Sequence, residues 1–172
     1  NNLQWYGFTY YHKFNEQWHI SVEGYELYQR KVLNAADPAG IIASGGFPFN
    51  ANQMPFNSPN LAQCSNPTEL TCTARAYAIL EYLNYKFSPL DNLSFRFEFY
   101  DDEEGQRTGV KNHYIETGIG WQRWLSPQIE LRPEVSYYKA LNGPAFNGNA
   151  NAAIAPTKDY AVIGSADIII HF

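Results

Sequence analysis

The chain ends on YAVIGSADIIIHF, Tyr160 to Phe172, and these residues alternate in character to the last. At a period of two, Tyr160, Val162, Gly164, Ala166, Ile168, Ile170 and the terminal Phe172 fall on one side, with Ser165, Asp167 and His171 among those on the other. One side is apolar or small to its end. Termini usually fray, yet this one stops on an aromatic residue in phase with the apolar side, which predicts a strand held to its last residue.

The stretches upstream repeat the pattern. In Ile129 to Leu141, residues Ile129, Leu131, Pro133, Val135 and Tyr137 oppose Glu130, Arg132, Glu134, Ser136 and Tyr138. Pro133 has no N–H for a ladder and predicts a bulge or an edge-like position. In Val110 to Leu125, Ile115, Thr117, Ile119 and Trp121 oppose Asn112, Tyr114, Glu116, Gly118, Gly120 and Gln122. The cleanest alternation is Leu93 to Asp101: Leu93, Phe95, Phe97 and Phe99 suit hydrocarbon, while Ser94, Arg96, Glu98 and Tyr100 suit water. Thr73 to Phe87 is a further strand. In Trp18 to Arg30, Trp18, Ile20, Val22 and Gly24 alternate with His19, Ser21, Glu23 and Tyr25. Leu3 to Phe14 brings the count to about seven strands, but its dense aromatics occur in both phases and its faces stay unassigned.

The connections alternate in length: short at Asn15, Ser88 and Ser126, longer after Arg30, Asp101 and Leu141. Short turns on one rim and long loops on the other are the layout of an outer-membrane barrel. The longest loop, Lys31 to Cys72, is rich in Asn, Pro, Gly and Ala and is expected on the extracellular side. Near its end lie Cys64 and Cys72, the only cysteines. An even count in a loop without a metal-ligand pattern favours a disulfide and an oxidising compartment; two free thiols are the plainer alternative.

Composition fits the same picture. Aromatic residues make up 16%, with 13 Tyr, 11 Phe and 4 Trp, roughly twice the share in an ordinary soluble domain. Tyr and Trp rings with polar tips belong at a membrane–water boundary, although a soluble β-sandwich is an alternative on composition alone. Mean hydropathy is -0.41, and no apolar run approaches the ~18 residues of a transmembrane helix. A barrel strand exposes only alternate side chains to lipid, so its averaged hydropathy looks soluble. The net charge of -5 and the lack of a Lys/Arg cluster argue against a nucleic-acid partner. No basic and apolar leader opens the chain at Asn1, so an exported protein is expected in mature or truncated form.

The ending resembles the C-terminal strand of bacterial outer-membrane barrels, in which a terminal Phe belongs to the signal read by the barrel-assembly machinery; Tyr160, Ile168, Ile170 and Phe172 are the matching positions. Across the last half of the chain, FRFEFYDDEEGQRTG (Phe95 to Gly109), NHYIETGIGWQ (Asn112 to Gln122), LRPEVSYY (Leu131 to Tyr138) and the Asp167 to Phe172 ending together resemble the OmpL-like β-barrel porin family. The resemblance implies an integral protein of the Gram-negative outer membrane with a pore function, and brings no catalytic residue, cofactor or substrate with it.

The expected fold is therefore all-β, an antiparallel up-and-down transmembrane β-barrel over residues 1–172. Bacterial single-chain barrels have an even strand number and both termini in the periplasm, so about seven strands imply the C-terminal portion of a larger barrel, or one strand unseen. The expected lumen lining is Glu23, Arg96, Glu98, Glu116, Arg132, Glu134 and Asp167, a mixed-charge wall for small hydrophilic solutes or ions. A plugged barrel with salt-bridged charge, binding a partner through its long loops, is the alternative. Gly118 and Gly120 either admit another segment to the wall or relieve strand curvature, and Arg107 either docks on a lumen carboxylate or is a solvated turn residue.

No enzymatic motif appears. His12, His19, His113 and His171 are scattered, and Thr117 lies four residues from His113, about 13 Å along a strand, too far for a hydrogen bond. The partners expected are outer-membrane lipid, the assembly machinery and small solutes. A homo-oligomer or larger envelope complex is compatible with a porin, but no interface signature is legible.

Overall fold

The computed structural model describes residues 3–35, 61–148 and 154–172. Its strands are β1 (Leu3–Lys13), β2 (Trp18–Asn34), β3 (Leu61–Ala62), β4 (Thr71–Lys86), β5 (Asp91–Asp102), β6 (Asn112–Ser126), β7 (Ile129–Ala140) and β8 (Tyr160–Ile170). Seven long strands form one antiparallel meander in the order β1-β2-β4-β5-β6-β7-β8, while the two-residue β3 lies off this path, parallel to β2. Among the described residues the sheet is open: β1 and β8 each pair on one side only.

Alternation along each strand and register between strands together divide the sheet into two faces. Val22, Glu81, Phe97, Thr117, Tyr137 and Val162 form one cross-strand row, and Glu23, Leu80, Glu98, Glu116, Tyr138 and Ala161 the next, on the opposite face. The first face is apolar and uncovered: Ile79, Phe95, Phe97, Ile119, Val135, Val162 and Ile168 are all exposed. So wide an exposed apolar surface needs lipid or another apolar phase against it. Register also gives β1 its faces. Gln4, Tyr6, Phe8, Tyr10 and His12 join the apolar side, opposite Tyr28, Glu26, Gly24, Val22 and Ile20.

The three short turns are closed by their own polar side chains. Asn15 Oδ1 accepts from the N–H groups of Gln17 and Trp18, Ser88 Oγ accepts from Leu90 N and donates to Asp91, and Ser126 Oγ accepts from Gln128 N. These are the Asx- and Ser-turn bonds expected of such residues. The ladder continues past β8, since His171 N donates to Gln128 O at 2.8 Å.

The structure corrects three expectations. Lys31 to Asn34 and Thr71 to Cys72 belong to strands rather than to the long loop. After a register shift at Arg30 and Lys31, where Lys31 has a φ of 56°, pairing resumes between Val32 and Cys72. Burial drives this: Val32, Ala62 and Ala74 form a small apolar core with Cys64 and Cys72 packed against it. The middle of the loop, residues 36–60, lies outside the described residues. Pro133 is neither bulged nor at an edge; it faces Ala166 in register, and its ladder to β6 is interrupted beside it without a shift, the bulge lying instead between Trp124 and Ser126. Finally, β6 begins at Asn112, two residues after Val110, because 103–111 folds back over the sheet.

Candidate functional site

The polar face carries the chemistry. Glu23, Arg96, Glu98, Glu116, Arg132, Glu134 and Asp167 all fall on it, in two charged groups and two outliers. In the first group Arg96 lies between its strand neighbour Glu98 and cross-strand Glu116, with Nη2 3.1 Å from Glu116 Oε2 and the guanidinium 5.6 Å from the centre of the Tyr82 ring. Glu116 is only 5% exposed, and Arg96 is the cation beside it. In the second group Arg132 grips Asp167 with two hydrogen bonds, Nε–Oδ1 of 2.9 Å and Nη2–Oδ2 of 2.7 Å, the planar fork that suits a carboxylate. Buried Glu130 stands behind it, 3.6 Å from Arg132, and accepts from Gln122 at 2.8 Å. His171 closes this group, stacked on Trp124 and 3.5 Å from Glu130.

The outliers are Glu134, which accepts from Ser136 Oγ at 2.8 Å, and Glu23, which stands between Thr9 and Leu80 in the row of Glu98.

A second feature lies toward the end of the sheet with the long connections. Asp102, fully buried, accepts with one carboxylate oxygen from Arg107 N, Thr108 N and Thr108 Oγ1 at 2.7–2.9 Å. That carboxylate curls residues 103–111 back over the polar face. Gln106 Nε2 then reaches Gln29 Oε1 on β2 at 2.7 Å. Because β4 lies between β5 and β2, the loop crosses β4, where Ala74, Ala76 and Ala78 are buried beneath. Three alanines at alternate positions leave the room it needs. Gln63 ties the far side down: its backbone N donates to Glu104 O, its Nε2 to Gly109 O, and its Oε1 accepts from Lys111 N. Gln63 is itself anchored beside the Cys64–Cys72 disulfide.

Three carboxylates outside the strands are perturbed, Glu16 being held below its ordinary range by its bond from Lys13. Burial lifts the Glu104 carboxyl above its ordinary range, despite the 2.7 Å bond from Arg75 N, while the Lys139 bond holds Asp159 below. Arg107 settles on neither expectation: its Nε and Nη2 are shielded from solvent and meet no hydrogen-bond partner among the described residues.

The glycines also separate. A Cβ at Gly118 would stand 2.8 Å from Ser136 Oγ, so absence of a side chain there lets the neighbouring strand's hydroxyl close in. At Gly120 a Cβ would meet nothing nearer than 3.7 Å. The infolded segment crosses β4, not β6, so it is not what these glycines admit.

Asp102, Gln63, Gln106 and Glu130 were not picked out from the sequence. For Asp102 a local signal exists, an Asp five and six residues before the amides of Arg107 and Thr108 in DDEEGQRTG, but nothing local marks Gln63, whose partners lie more than forty residues away. Glu81, between Val22 and Phe97, is a carboxylate on the apolar face away from either rim. The positions expected to form the assembly signal lie as the alternation requires: Tyr160, Ile168 and Ile170 are exposed on the apolar face, and Phe172 is exposed beyond the end of β8.

An antiparallel meander with an uncovered apolar face, a charge-paired polar face, short turns at one end and long loops at the other is the wall of a membrane β-barrel. The whole chain, residues 1–172, matches the family described as "putative beta-barrel porin-2, OmpL-like", and it belongs to that family. A porin-like barrel family implies the bacterial outer membrane. No curated protein matches the chain.

Proposed function

We propose that the protein is a passive outer-membrane porin in which the polar face lines the lumen and small hydrophilic solutes or ions diffuse past its paired charges. The observation that carries this reading is the separation of faces: Arg96, Glu98, Glu116, Arg132 and Asp167 on one side, Phe95, Phe97, Ile119 and Val135 on the other. Paired charge supports a hydrated passage of mixed sign, and the segment 103–111 narrows it near the long-loop rim. Among the described residues β1 and β8 each keep one unpaired edge, and in hydrocarbon the wall to which this meander belongs has to be closed. The exposed Ile168, Ile170 and Phe172 are offered to the assembly machinery.

The test is conductance of the full-length protein in a planar bilayer, with and without reductant. Discrete open steps are expected, and a change on reduction would tie the Cys64–Cys72 segment to the passage. No current from protein verified as folded and inserted would overturn the open pore. One observation favours that second reading, an occluded barrel that binds a partner through its loops: residues 103–111 already lie across the polar face, with Gly105, Gln106 and Gly109 buried.

A further inference from the structure

Below the Arg96 group the polar face opens into a trough of ≈ 490 Å³. Its floor is one cross-strand row, Asn84, Ser94, Gly120, Glu134 and Ser165, on five consecutive strands. Tyr82 bounds it above, Gln122 and the Arg132–Asp167 pair below.

Gly120 makes the trough. A glycine inside a strand costs stability, and at Gly118 the approach of Ser136 accounts for it. No such approach accounts for Gly120, where the wall would accept a Cβ at ordinary contact distance. The missing side chain leaves a depression between Ser94 and Glu134, lined by amides, hydroxyls and carboxylates, which together donate and accept.

Charge narrows the ligand class. Among the described residues that line the trough the cation is Arg132, which is held by Asp167, while Glu134 disfavours an anion. What remains is a row of hydrogen-bonding groups on strands ~4.8 Å apart, Asn84 and Ser94 on one side of the Gly120 gap and Glu134 and Ser165 on the other. We infer that this trough is a subsite for a neutral, polyhydroxylated solute, a short oligosaccharide, whose hydroxyls exchange water for Asn84, Ser94, Gln122 and Glu134 as it passes. The inference rests on reading the polar face as the lumen.

The test uses maltotriose and the full-length protein in a detergent without a sugar headgroup, so that binding is read independently of conduction. Calorimetric titration is expected to show saturable binding. Gly120→Leu, which fills the trough, is expected to weaken binding by roughly tenfold or more, the loss of about two hydrogen bonds. Gly164→Leu, on the apolar face of β8 where nothing lies within 4 Å of an added Cβ, is expected to leave it unchanged. In the planar bilayer maltotriose should block current transiently, and a polyethylene glycol of equal size should not. Absence of saturable binding by folded wild-type protein overturns the subsite even if the protein conducts. Binding without conductance keeps the subsite and overturns the open pore. Spermidine binding in place of maltotriose overturns the ligand class.

Discussion

At the scale of the residue, neighbouring positions on β5 point into different solvents. Phe97→Arg places a guanidinium on the apolar face, where a mid-membrane arginine costs about 2–4 kcal/mol; reversible urea unfolding in vesicles should register that loss. Arg96→Ala acts differently. It leaves Glu98 and Glu116 facing each other across β5 and β6 without their shared cation, so single-channel reversal potentials should shift toward cation selectivity. Glu81→Leu is expected to stabilise the protein by about 1 kcal/mol, since a carboxylate on the lipid side is a smaller burden than an arginine. Glu81 escaped the sequence reading because no faces were assigned to that strand, although the alternation of Ala74, Ala76 and Ala78 in TARAYAIL offered the phase. The faces of Leu93 to Asp101 were legible from strict alternation, but that Arg96 serves two carboxylates was not, because the second partner arrives from β6.

At the scale of the element, residues 103–111 are held by a few polar anchors rather than by an apolar face. Asp102→Ala removes an acceptor of three hydrogen bonds and leaves Arg107 N and Thr108 N without it; local opening should become easier by about 2–4 kcal/mol, read as amide exchange at 106–109. The same amides should respond to pH. Because Glu104 has a raised carboxyl pKa, its contribution to docking is fully present below the ordinary carboxylate range and fades as pH rises through the raised value. Protection should therefore decline across that window, after correction for intrinsic exchange, and Glu104→Gln should flatten the response. Reduction of Cys64–Cys72 frees a short loop whose closure is worth roughly 2–3 kcal/mol by chain entropy, and the anchor at Gln63 should loosen with it. The sequence marked the cysteines and the turn separately. Their connection through Gln63 depends on how β4 and β5 bring two distant loops side by side, which no local spacing encodes.

At the scale of the whole molecule, the meander, the alternation of short and long connections and the amphipathic wall could all be read from periodicity, because a strand repeats its environment every second residue. The end of β2 could not: Val32 and Leu33 look like loop until Leu61 and Cys72 are brought beside them. The paired charges also bear on how the wall assembles. Moving β5 one residue against β4 or β6 would turn Arg96 and Glu98 out toward lipid and bring Phe95 and Phe97 onto the polar face beside Glu116 of β6. A slipped hairpin would thus be penalised on both faces at once, leaving ionic groups in hydrocarbon while Glu116 lost its cation. The paired charges would bias strand alignment toward the native register as the wall assembles, since a misaligned hairpin is the costlier one.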